Sequence, residues 1–501
     1  MPIRAFRFSC IAVLLLAAAL PARAAEGTIR LALSVLPPQL GNPFSTSATP
    51  TITTTSAIYD GLTRMTAGGV LKPWLALSWA NVDARTWRFQ LRRDVVFSNG
   101  KPFTAATVAA NVNFLAKTPR PTDNILRDLP PLEGARVVDE FTVDIVTKMP
   151  VPTFPRYAAI LLMPESESFL SLGTEEFSKT PVGTGPFALE KWEPNKASFK
   201  AFAKSWRKPK EARLELLTLP EATARVQAII SGRADIGIGL APEDVQTLEA
   251  AGSKGISWRD GSVAGISLVA TRGGPLADAR VRRALNHAVN RGPIVDILFQ
   301  GKTVPANQPA ARNIMGRDDT LPMFDYDLDK AKRLLAEAGY PKGFKFVMET
   351  ATTSGASLAA YQQVADDLAD IGVTMEIRPL QLAQYLRNTF ITGEYADAIF
   401  IPWSASPSMD VLRAINIHSC QANHPWYCDR EAMPVYQAAL AEWDEAKGLE
   451  LRRELGRRYH DQAAALFLYE QVFFAGLSKR TEGFADTFGF ISYDTITVSG
   501  K

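Results

Sequence analysis

Residues 73–105 read PWLALSWANVDARTWRFQLRRDVVFSNGKPFTA. Within this stretch residues 87–91 alternate apolar and polar side chains, the period of a half-buried strand. Asn99-Gly100 marks the centre of a tight turn over residues 97–102, because both residue types tolerate a left-handed backbone. Thr104 then stands as the expected N-cap of a helix over residues 105–115. Outward from here the same grammar continues. Strands are expected at 28–35, 234–238, 374–378, 398–401 and 467–477. Helices are expected at 52–62, 222–231, 278–289, 329–338 and 361–371, with mostly helical sequence over 435–464. Helices and strands alternate through most of the second half, so the fold class is α/β.

Composition narrows the function classes. The chain has 501 residues, 47% hydrophobic and 21% charged, which fits a folded globular protein and excludes a disordered, collagenous or multi-span one. Residues 1–24 carry Arg4 and Arg7, then the apolar run 10–20, then Ala22-Arg23-Ala24. This is the three-part pattern of a cleaved export signal, and the run is too short to span a bilayer. Arg4, Arg7 and Arg23 account for the whole formal excess of +3. The remainder is charge-balanced, so nucleic acid is not an expected partner.

No catalytic constellation emerges. The four histidines, His287, His418, His424 and His460, form no H-E-x-x-H pair, and no G-x-S-x-G elbow occurs. Gly301-Lys302-Thr303 imitates the end of a phosphate-binding loop, but Asp296 stands where that loop needs Gly. Glu165 and Glu167, interleaved with Ser after Pro164, read as solvated surface. No catalytic residue and no cofactor is therefore expected. After removal of Cys10 with the signal, Cys420 and Cys428 remain. In an oxidising compartment they favour a disulfide. A metal site is the alternative, because His418 and His424 lie on the same segment.

Five segments in order resemble the extracytoplasmic solute-binding proteins of the peptide/nickel ABC-transporter family. They are the line over residues 73–108; Pro181-Val182-Gly183-Thr184-Gly185-Pro186-Phe187; the segment 224–236; Arg282-Arg283-Ala284-Leu285-Asn286-His287-Ala288-Val289 with Asp278 before it; and the segment 327–340. Physically, Gly183 and Gly185 read as a sharp turn, Arg282 and Arg283 as surface pairing with Asp278, and Trp74, Trp79 and Trp87 as core anchors. The resemblance implies a two-lobed periplasmic binding protein fold with a ligand cleft between lobes. Lobe 1 would be 25–271 plus 475–501, with an inserted subdomain at about 59–179, and lobe 2 would be 272–474. It further implies a monomer exported to the periplasm, working with an ABC permease and its ATPase subunits.

The resemblance also implies a binding set. Members that take peptides often carry W-x-x-D-x-x-D-P, whose acid pairs with the ligand's amine. Here Trp403-Ser404-Ala405-Ser406 retains the Trp and replaces the first acid with Ser406. Asp410 could substitute only by a register shift across Pro407. By position, Asn42, Phe44, Ser45, Tyr385, Trp403, Ser404, Ser406, His418 and Trp426 are the expected ligand-binding residues. Cys420 and Cys428 match a disulfide of many members. The ligand would be a peptide or peptide-like solute, with a nickel chelate, opine or other non-peptide solute as the alternative and an exported hydrolase as a distant one.

Overall fold

The computed structural model describes residues 27–46, 49–119, 125–351 and 355–500. The export segment, residues 1–24, lies outside them. The central element is an 11-stranded mixed sheet, and a separate 4-stranded antiparallel sheet carries the residue 76–91 line. In that smaller sheet Ala76–Asp83 pairs with Thr86–Leu91, followed by Thr142–Thr147 and Leu132–Asp139. The helix Ala105–Lys117 packs across it, burying Val108, Val112 and Leu115. Thr104 stands at the helix start with extended backbone, although its side chain makes no capping bond.

Two long strands run through the middle of the large sheet. Lys254–Leu268 and Ala465–Leu477 pair antiparallel over most of their length. Residues 261–268 are buried throughout, as expected for a strand covered on both faces. On one side the sheet continues through Ile236–Ile238 to Thr28–Leu33 and Arg213–Thr218, which run parallel. On the other it continues through Ala398–Phe400 to Lys345–Ala351 and Thr374–Leu380, also parallel. The central pair thus joins two α/β assemblies.

The pairing shifts register twice, between Ala264 and Gly265 and, more widely, after Arg259. Arg259 opposes Val472, yet the next opposed pair is Val263 with Glu470. Asp260, Gly261 and Ser262 are the extra residues of this irregularity, a bulge that bends and re-aims a strand. Gly261 has φ +78°, and a Cβ there would press on Ile314 and Met409. Glycine is required on both counts.

A buried polar cluster lies elsewhere, around Asp60. Asp60 accepts from Trp74 Nε1 (2.8 Å), Trp206 Nε1 (3.0 Å) and Thr184 Oγ1 (2.8 Å), and Arg207 completes the cluster at 3.0 Å. This ties the Thr184 loop to the segment around Asp60. Gly183 is needed there for close approach, not for a left-handed turn: a Cβ would collide with the Ile58 carbonyl.

Several expectations are corrected. The helix expected over 52–62 covers only Thr49–Thr55. The Thr54 and Thr55 hydroxyls bond back to the Pro50 and Thr51 carbonyls, and β-branched residues favour helix weakly. Beyond Thr55 the Ala57 and Ile58 carbonyls accept instead from Phe187 and Gly185. Arg282 is not a surface partner of Asp278. It is buried and donates to the carbonyls of Leu276, Ala277, Gln462 and Ala463, while Arg280 takes Asp278. Glu165 is buried rather than solvated. It caps the helix Ser166–Lys179 by accepting from the Glu167 and Ser168 amides.

Asp410 meets Arg452 in a bidentate pair, with contacts of 2.9–3.1 Å, and both are buried. Arg452 also donates to the Ala439 and Gly448 carbonyls. Removing one partner of such a pair leaves a buried charge, at a cost of about 3–5 kcal/mol. Arg452→Met is therefore expected to lower the urea midpoint strongly, and Asp410→Asn in the same chain to restore part of it. A single variant as stable as the parent would contradict this role.

Candidate functional site

A cavity of about 200 Å³ opens at the bulge of the central strand pair. One wall is aromatic: Trp258 and Phe473, from opposite strands, lie 6.1 Å apart at 25°, and Phe488 adjoins them. Asp260 and Asp486 line the same side. Ser404, Ser406, Arg413 and Arg127 line the remainder. Residues distant in sequence meet here because the bulge exposes Asp260, the strand Trp403–Ser404 pairs with residues 262–263, and the hairpin of Asp486–Thr487 with Phe490–Ile491 brings in the C-terminal segment.

The two acids are unusual. Asp260 Oδ1 accepts from the Ser262 amide at 3.0 Å. Burial pushes its carboxyl up to about 6, and the charge of Asp486 adds to the rise. Asp486 Oδ1 accepts from the Gly489 amide at 2.8 Å. Burial lifts it to about 6 as well, with the nearby Arg64 opposing. Across the cavity Arg413 donates to the Ser404 carbonyl (2.8 Å) and to Asp128 Oδ1 (2.8 Å). Asp128 also lies 3.5 Å from Arg127 Nε. The lining therefore carries two guanidinium groups, both beside Asp128, and two carboxylates that no ion pair reaches among the described residues.

Of the expected binding residues, Ser404 and Ser406 line this cavity. The others are placed elsewhere. Asn42 is buried and forms a local turn, its Oδ1 accepting from the Phe44 amide. Phe44 packs against Phe114 and Phe169 in the first core. Ser45 lines a separate crevice of about 10 Å³. Tyr385 is buried and donates to the Phe400 carbonyl. Trp403 is fully buried, stacked on His418 at 3.8 Å and edge-on to Tyr459 and Phe467. Trp426 is buried and donates through Nε1 to His418 Nδ1 at 3.2 Å. These three form a packed layer rather than cavity lining. Asp410 is committed to Arg452 and does not replace the acid missing at Ser406.

Cys420 and Cys428 form a disulfide. Both sulfurs are thereby used, so the metal alternative fails. His424 faces the Ile391 carbonyl, and His418 sits in the aromatic layer. Among the described residues no cluster of three or more potential metal ligands occurs.

Sequence reasoning missed Trp258, Asp260, Phe473, Asp486, Phe488, Arg127 and Arg413. One signal was available for the first group. Arg259-Asp260-Gly261 places charge and glycine inside an otherwise apolar strand, which marks a bulge. Nothing local marks Asp486.

The buried imidazole and the two acids have opposite pH signatures. Burial lowers His418 to about 3 from an ordinary 6.5. Between those values the unfolded chain binds a proton that the folded chain refuses, so acid lowers stability. Asp260 and Asp486 stand at about 6 against an ordinary 3.8. The folded chain binds their protons first, so acid raises stability between pH 6 and 4. In His418→Gln the first contribution is absent. Urea midpoints from pH 7 to 4.5 should fall less, or rise, relative to the parent; identical pH slopes would contradict the assignment.

Comparison with known proteins gives the family. Residues 70–423 match the model for bacterial extracellular solute-binding proteins, family 5. The dipeptide-binding protein of Escherichia coli K12 is 26% identical over 463 residues, 85% of this chain and 86% of that one. A glutathione-binding protein of Salmonella choleraesuis is 27% identical over 473 residues, covering 88% and 89%. Among solved structures, the ABC transporter substrate-binding protein CtaP of Listeria monocytogenes superposes with TM-score 0.84 at 20% identity, covering 95% of this chain and all of that one. The expected two-lobed α/β fold is thus found, and the chain belongs to the bacterial extracellular solute-binding proteins of family 5.

Proposed function

We propose that the protein captures a small peptide-like solute outside the cytoplasm and delivers it to an ABC permease and its ATPase subunits, acting as a monomer and without catalysis. Family membership supports solute binding, and the relatives named for dipeptide and glutathione support a peptide-like ligand. Residues 1–24 supply the export signal, and the mature protein works in the periplasm.

The observation that carries the reading is the position of the cavity. It lies at the bulge in the two strands that join the α/β assemblies, and residues of both assemblies line it. In this reading lobe 1 comprises 25–271 and 475–501, with the subdomain at about 59–179, and lobe 2 comprises 272–474. The chain crosses between the lobes near Ala270-Thr271 and near Phe474-Ala475, and the long strands that hold the bulge lead to these crossings. A solute touching both sides favours the closed form by its greater affinity for that form. Arg413, which bridges from lobe 2 to Asp128 while lining the cavity, couples the two events.

Protein purified from the periplasm without denaturation is expected to carry a solute of a few hundred daltons, visible by native mass spectrometry and lost on unfolding. Ser406→Phe should fill the cavity and release it. Retention of the same solute by the variant would place binding elsewhere.

A further inference from the structure

We propose that Asp260 and Asp486 together seat a cationic amino group of the solute, against the aromatic wall of Trp258 and Phe473. This rests on the solute-binding reading above and adds the chemical class of what is bound.

The first argument is charge accounting. Asp128, Asp410 and Glu470, the other buried acids close to this junction, each hold an arginine: Arg413 at 2.8 Å, Arg452 at 2.9 Å and Arg259 at 2.9 Å. Among the described residues, no ion pair reaches Asp260 or Asp486. Asp260 keeps the Ser262 amide and hydroxyl and Asp486 the Gly489 amide, and each leaves part of its surface open to the cavity. Two carboxylates on one small cavity repel each other, and a cation between them relieves both.

The second argument is placement. The fold takes trouble to hold these acids there. Asp260 stands at the wider of the two register shifts of the central pair, beside Gly261 at φ +78°. Asp486 is held by the turn that returns through Phe488 at φ +58° and Gly489. Neither position contributes a paired charge to the core, so packing does not explain them.

The third argument is the surrounding chemistry. An aromatic face attracts a cation through its ring quadrupole, by about 0.5–2 kcal/mol, and accepts an apolar side chain equally well. Arg413, paired with Asp128, lines the same cavity and sets a guanidinium near a solute's carboxylate. An amine-bearing solute with an apolar or aromatic side chain fits this lining.

The test is calorimetric titration at pH 7.5 with two probes, L-alanyl-L-phenylalanine and its N-acetyl derivative, using the parent, Asp260→Asn, Asp486→Asn and the double variant. The substitutions keep shape and remove charge. Because ionisation at these sites opposes folding, each variant should melt no lower than the parent at pH 8, which separates lost binding from lost structure. The free-amine probe should bind the parent and lose about tenfold or more in each variant, and the acetylated probe should bind the parent at least tenfold more weakly. Equal binding of both probes, or unchanged affinity in the double variant, overturns the proposal. If the free-amine probe does not bind, the solute released from the purified parent decides. A released solute bearing an amine supports the proposal, and one without any cationic group overturns it while solute capture stands. No released solute at all overturns capture itself.

Discussion

The antiparallel pairing of Lys254–Leu268 with Ala465–Leu477 is the constraint on which the rest of the structure depends. These strands form the middle of the large sheet, and every parallel unit on either side is built outward from them. A regular ladder between two long strands would be stiff and would present no concavity. The register shift after Arg259 changes that. It interrupts the ladder, turns Asp260 out of the sheet plane and leaves room beneath Trp258 and Phe473. The wider irregularity of the central pair therefore also lines the cavity.

Charge is distributed unevenly around this cavity. Asp60, buried away from the cavity, is supplied with two indoles, a hydroxyl and Arg207. Burial without partners is costly because the charged form loses its hydration. Asp260 and Asp486 have no ion pair among the described residues and line the cavity, whereas Glu211, also buried and held by the Val498 amide alone, does not line it. Proteins commonly tolerate such local instability where function requires it. In the layer of Trp403, His418 and Trp426, the Trp426 indole donates to His418, which burial holds neutral, while Trp403 Nε1 is buried without a partner.

The fold was largely readable from sequence because its determinants are local. Alternation at residues 87–91, the Asn99-Gly100 turn and the apolar periodicity of residues 279–288 and 328–337 each specify an element without reference to distant residues. The shortfalls also have physical causes. Residues 52–62 looked helical by composition, but carbonyls near Ile58 were claimed by the Gly185 loop, 127 residues later. Arg282 looked exposed because its acceptors are backbone carbonyls, which sequence does not reveal. The site was the least readable part. Ser404 and Ser406 were found through motif position. Trp403 on the same motif is conformationally committed to the core, since neighbouring strand residues point to opposite faces. Asp486 and Arg413 reach the cavity only through tertiary packing.

The central claim is that a solute is held at the junction of the two assemblies, in the cavity lined by these carboxylates and guanidinium groups. A crystal structure of protein purified with its own solute tests it most directly. The account predicts electron density for the solute between Trp258 and Phe473 on one side and Ser404 and Ser406 on the other, with a cationic group within hydrogen-bond distance of Asp260 or Asp486. Solute density in the Trp403, His418 and Trp426 layer, or anywhere outside the junction, would contradict it.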